Sequence, residues 1–77
     1  MIIDTNGFEI GDEVWYIDFY LNYASVHNFI IGSFEISNYG IEVLEDRSIS
    51  YFTRININNL FHTEQECQLA CDKLNSK

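Results

Sequence analysis

Between Glu13 and Leu21 the chain sets bulky side chains at almost every position, without a glycine or proline to break the run. An extended strand, whose side chains alternate between two faces, sorts this run into Trp15, Ile17, Phe19 and Leu21 on one side and Val14, Tyr16, Asp18 and Tyr20 on the other. Both sides carry large groups. That predicts a central strand, or one with a face against a partner, and places Trp15 in the core.

Turn signals divide the rest. Asn6-Gly7 and Gly11-Asp12 read as tight turns ahead of the first strand, and residues 22–27 read as a loop. A second strand is expected over 28–36, with Gly32 marking a bulge or sharp bend that lets a small sheet curl. Ser37-Asn38-Tyr39-Gly40 predicts a hairpin turn. A third strand over 41–45 has Ile41 and Val43 inward, Asp46-Arg47-Ser48 turns, and a fourth strand covers 49–55 with Ile49, Tyr51, Thr53 and Ile55 on one side. Residues 56–61 read as irregular, a short fifth strand or a 3₁₀ turn. Thr63-Glu64-Gln65-Glu66 is a capping box, in which the Thr63 hydroxyl accepts the Glu66 amide and the Glu66 carboxylate reaches back to the Thr63 amide. The helix runs over about 64–75, with Cys67, Ala70, Cys71 and Leu74 on one stripe. The fold class is therefore mainly β with one helix: a single domain over 1–77, either a small barrel or a strongly bent antiparallel sheet of four to five strands, closed by the C-terminal helix.

The 77 residues carry 12 acidic and 4 basic side chains, a formal charge of −8. Phosphate binding needs clustered Lys or Arg to displace counterions, so a direct nucleic-acid ligand is disfavoured, and an anionic membrane surface with it. A basic protein partner is favoured, because opposite potentials raise encounter rates. No stretch approaches the roughly 18 continuous apolar residues of a membrane span. Met1-Ile2-Ile3-Asp4 lacks a basic leader region, which predicts a cytoplasmic protein whose two cysteines stay reduced.

Three sets of residues could carry chemistry. His62, Cys67 and Cys71 offer zinc ligands, with His27 or an acid as a fourth, but their spacing is not a standard one. The competing role for the cysteines is as small core residues, and no metal or cofactor is expected. Cys67 near a helix N-terminus is also a thiol candidate, opposed by the charges of Glu64 and Glu66. Asp12, Glu13, Asp18, Glu42, Glu45 and Asp46 lack the spacing of an acid–base pair or a calcium loop, and no phosphate loop or nucleophile elbow appears, so the chain is not expected to be an enzyme. Tyr16, Tyr20, Tyr23 and Tyr39 interleave with these acids, and tyrosine is enriched at interfaces. Asp12, Glu13, Tyr16, Asp18, Tyr20, Tyr39, Glu42, Glu45 and Asp46 thus form the candidate partner-binding set. A run that is apolar on both faces also allows a homodimer through an uncovered edge.

The segment Phe8-Glu9-Ile10-Gly11-Asp12-Glu13-Val14-Trp15 resembles the opening of SH3-like barrels, including retroviral integrase C-terminal domains and transcription-factor barrels. The segment Leu60-Phe61-His62-Thr63-Glu64-Gln65-Glu66-Cys67 resembles the start of the helix that follows the sheet in small phage- and prophage-encoded proteins. The resemblance implies an SH3-like fold and an origin in a mobile element, and no catalytic residue. Barrels of that kind that bind DNA have basic strands, which this chain lacks. The functional expectation is an acidic inhibitor, of phage or mobile-element type, that occupies a basic nucleic-acid-binding site on a host protein. The alternatives are an SH3-like peptide-binding module and a small zinc protein.

Overall fold

The computed structural model describes residues 4–46 and 53–76. Four antiparallel strands, ordered β1-β2-β3-β4, form a curled half-barrel. They are β1 (Glu13–Tyr20), β2 (Tyr23–Ser37), β3 (Gly40–Glu45) and β4 (Arg54–Asn56). A 3₁₀ turn over Ile57–Asn59 leads to the helix α1 (Glu64–Asn75).

β2 is the spine. Residues from Tyr23 to Ile30 pair with β1, while those from Ile31 to Ser37 pair with β3. The register shifts between Ile31 and Ser33, so the expected bulge at Gly32 is present. A Cβ placed on Gly32 would lie 2.5 Å from the Asp46 Cα and 2.8 Å from its nitrogen. Glycine lets β3 close on β2 at the bend, and the bend lets one short sheet wrap its own core.

That core joins Phe8, Val14, Phe29, Ile31, Val43, Ile57 and Leu60, with Tyr16, Phe34, Ile41 and Ile55 packed around it. Val14, not Trp15, is the fully buried residue of the first strand, and Trp15 is half-buried. β1 also corrects the expectation of a central strand, because it ends the sheet. Its second apolar face has another cause. Ile17 lies opposite Val26 and Phe19 opposite Ala24, which points these four to the side away from Val14. On that side the Asn75 carboxamide clamps Ala24, accepting from its N–H at 2.9 Å and donating to its carbonyl at 2.8 Å. Ala24, Cys67 and Cys71 are buried outside the main cluster, under the helix.

A second correction concerns residues 22–27. All but Asn22 are not a loop but the start of β2. Tyr20 pairs with Tyr23, so the turn is just Leu21 and Asn22, with φ of 51° and 68°. Two positive φ angles make a type I′ turn, whose twist matches the flanking strands. Leucine is an unusual residue there, and the turn-forming asparagine and serine downstream misplace the loop.

The second hairpin turn falls at residues 38–39 as expected, closing on Gly40 at φ 107°. Of the expected fourth strand, Arg54–Asn56 includes Ile55, which pairs with Val43. Arg47, Ser48, Ile49 and Tyr51 lie outside the described residues. The helix has its expected bounds and cap, with Thr63 Oγ1 accepting the Glu66 N–H at 3.2 Å. The reciprocal half of the box differs. Glu66 Oε1 accepts from the Thr63 hydroxyl at 3.0 Å rather than from its amide.

Candidate functional site

The β1–β2 hairpin ends in an apolar tip. Phe19, Tyr20, Leu21 and Tyr23 are 60%, 75%, 81% and 64% exposed. Scattered exposed apolar residues are ordinary, whereas four large ones around a two-residue turn form a patch that water solvates poorly. Leu21 adds strain, since an L-residue other than Gly, Asn or Asp pays to enter the left-handed region. The fold thus holds an apolar side chain outward in an unfavourable backbone conformation.

Below the tip, a cleft of about 450 Å³ runs beside β1. Ile17, Phe19 and Leu74 line it together with Tyr16, Ile55 and Phe61, and two amides, Asn58 and Asn59, complete it. None of these side chains is charged. Among the described residues, the outer edge of β1 is hydrogen-bonded at one place. Trp15 donates to the Phe61 carbonyl at 3.2 Å and accepts from the Phe61 N–H at 2.8 Å, and the 3₁₀ turn just before Phe61 sets Asn58 and Asn59 among the residues lining the cleft.

The expected partner-binding residues do not share one face. Tyr20 ends β1, paired with the first residue of β2, whereas Tyr39 lies past the other end of β2, beyond Ser37. Tyr16 packs on the core, 5.8 Å from the Phe29 ring and 5.6 Å from His27. Several acids have partners inside the fold. Asp12 accepts the Glu9 N–H at 2.9 Å, Glu13 accepts from Asn28 at 2.6 Å, and Glu45 accepts the Thr53 N–H at 3.0 Å. Glu42 and Glu35 flank Arg54 at 3.5 and 3.0 Å, and the hydrogen bond and charge of Glu35 lead in raising the guanidinium pKa. Asp18 lies 3.9 Å from His27, and Asp46 is exposed beside the bend.

The metal candidates are likewise apart in role. His62 stacks on Phe8, with ring centroids 3.9 Å apart, and its Nε2 lies 2.8 Å from the Asn6 carbonyl. Cys67 and Cys71 are buried free cysteines. Burial pushes the Cys67 thiol above its usual pKa, and Cys71 and Glu64 push the same way, the reverse of nucleophile activation. Among the described residues no group of three His, Cys, Asp or Glu side chains is placed to hold a metal ion.

Phe19, Leu21 and Tyr23 lie outside the partner-binding set that the sequence predicts. The available signal was the run Phe19-Tyr20-Leu21-Asn22-Tyr23, in which apolar groups surround a single asparagine. Comparison with known families, curated proteins and solved structures gave no match for this chain.

Proposed function

We propose that the chain is a non-enzymatic protein-binding module that docks through the β1–β2 hairpin tip onto a basic protein. The observation that carries this reading is the exposure of Phe19, Tyr20, Leu21 and Tyr23 around a turn that keeps Leu21 at positive φ. Leu21 would enter an apolar pocket, and the two tyrosines would pack around it with their hydroxyls wet, the usual composition of an interface hot spot. The −8 charge favours a cationic partner. Because the acids belong to many elements, they act as a field that speeds encounter, while the tip supplies the contact energy. Where the partner's basic surface binds nucleic acid, the docked domain would block it, which makes the module an inhibitor.

The test is affinity capture from a cell lysate, with captured proteins identified and then measured individually. Tyr20→Ala should weaken the interaction by about tenfold or more, and Glu45→Lys by much less. Raising salt from 0.05 to 0.5 M should slow association mainly. A partner whose binding ignores Tyr20→Ala would refute the docking role of the tip.

A further inference from the structure

The outer edge of β1 has a defined hydrogen-bonding sense. Trp15 turns both its N–H and its C=O away from β2, where Phe61 meets them. In an antiparallel pair, backbone direction alternates along the strand, so Ile17 and Phe19 point the same way. Among the described residues nothing bonds those outward groups. β1 has no proline, lysine or bulge to blunt this edge, and between Ile17 and Phe19 its one charged side chain is Asp18. The uncharged cleft lies along the same edge.

We propose that this edge accepts an extended segment of a basic protein as an added antiparallel strand, continuing the line that Phe61 begins. Two residues of the segment would exchange backbone hydrogen bonds with Ile17 and Phe19. Their side chains would project to the same side as Ile17 and Phe19, toward Leu74, so they should be apolar. The residue between them lies opposite Asp18, whose side chain is about half exposed and meets His27 at 3.9 Å. Opposite charges facing each other across a strand pair are favourable, so that residue should be Lys or Arg. The recognised pattern is therefore apolar, cationic, apolar.

The same geometry argues against a second copy of this chain as the occupant. A two-fold pairing that satisfies Ile17 and Phe19 of both copies must set Asp18 against Asp18. Like charges directly opposite destabilise a pair, and each copy brings a charge of −8.

This inference rests on the reading of the chain as a protein-binding module, and the two can fail separately. Its probe is a capped peptide, acetyl-Thr-Val-Lys-Val-Thr-amide, titrated into the full chain with no partner present. Amide exchange at Ile17 and Phe19, followed by NMR, should slow at saturation. N-methylation of both valines should weaken binding by about tenfold or more, as expected for the loss of two hydrogen bonds. Replacing the central Lys by Glu should weaken it severalfold, and Asp18→Lys, at an exposed position, should restore binding of the Glu peptide. Absence of binding, unchanged exchange at Ile17 and Phe19, or equal affinity for the N-methylated peptide would overturn the proposal. So would concentration-dependent protection of those amides in the peptide-free protein, which would make a second copy the occupant. Peptide binding at the edge together with capture that ignores Tyr20→Ala would keep the edge and discard the tip.

Discussion

Replacing Leu21-Asn22 by Asn-Gly should make the protein more stable and a poorer binder. Leu21 and Asn22 occupy the two central positions of a type I′ turn, at φ of 51° and 68°. The left-handed region costs an ordinary L-residue about 1–2 kcal/mol, and Asn-Gly is the pair this turn prefers. Against that gain stands the small burial of the leucine. Its side chain is 81% exposed, so the change forfeits about a fifth of the roughly 1.5–3 kcal/mol that full burial of a leucine is worth. The strain term is the larger, and the net should be near 1 kcal/mol of stabilisation. In a domain of this size that raises the melting temperature by about 4–8 °C. Melting followed by circular dichroism, beside an NMR check that Tyr20 still pairs with Tyr23, measures it. Affinity for the captured partner should fall at the same time, by about thirtyfold if Leu21 is a hot spot worth roughly 2 kcal/mol. A rise in stability with a loss of binding is the mark of a strained functional site. A melting temperature that stays the same or falls, with the hairpin intact, would refute the argument from backbone strain.

Gly32→Ala should lower the melting temperature, because the new methyl meets the Asp46 backbone at 2.5 Å; overpacking of that kind costs about 1–3 kcal/mol. An unshifted melt would mean that the bend relaxes freely. Asn75→Ala removes both bonds to the Ala24 backbone and should cost about 1–3 kcal/mol, with faster amide exchange concentrated in the last turn of α1. Cys67 should resist thiol reagents in the native protein and react on unfolding. Its pKa is raised in the folded state, so the unfolded thiol ionises first. The stability it contributes is fully present below the ordinary thiol pKa and is lost as pH rises through the higher folded value. The stability advantage of the wild type over Cys67→Ala, taken from denaturant melts, should therefore be constant below the ordinary thiol pKa and shrink as pH rises through the alkaline range.

Local chemistry made much of this fold legible. The Thr63 cap, the Cys67/Cys71 stripe, the Gly40 turn and the Gly32 bend each depend on residues close in sequence, and each is present. Two things were set by distant parts of the chain. The run 13–21 is apolar on both faces, and the sequence cannot distinguish a central strand from an edge strand whose Ile17 and Phe19 share a cleft with Leu74 of a helix clamped by Asn75 to Ala24 of β2. The Leu21 turn was illegible for the opposite reason, since the fold places there a residue that turn preferences would exclude. Local and global preferences disagree at that position, and such disagreements gather at functional sites. The tyrosines were readable as interface residues but not as neighbours. Only the strand pairing shows that Tyr20 sits beside the start of β2 and Tyr39 just past its end.

The magnitude of screening decides what the acidic charge can do. The molecule measures 41 × 29 × 24 Å. Exposed charges more than about 10 Å apart are largely screened at 0.1 M salt, so most pairs among the carboxylates repel little and the fold tolerates them. The same screening means that they cannot hold a partner in place. Their field extends about one screening length beyond the surface, far enough to bias encounter with a cation but too diffuse to fix an orientation. Orientation must come from short-range contacts, and in this fold two such features adjoin: the tip around Leu21 and the open edge at Ile17 and Phe19. Phe19 belongs to both. A strand added at the edge would run toward the tip and pack beside Phe19, so the two contacts would share one partner and be energetically coupled. Double-mutant cycles between Tyr20→Ala and Asp18→Lys, measured on the captured partner, should then be non-additive by about 0.5 kcal/mol or more. Additive losses would mean that tip and edge serve different partners.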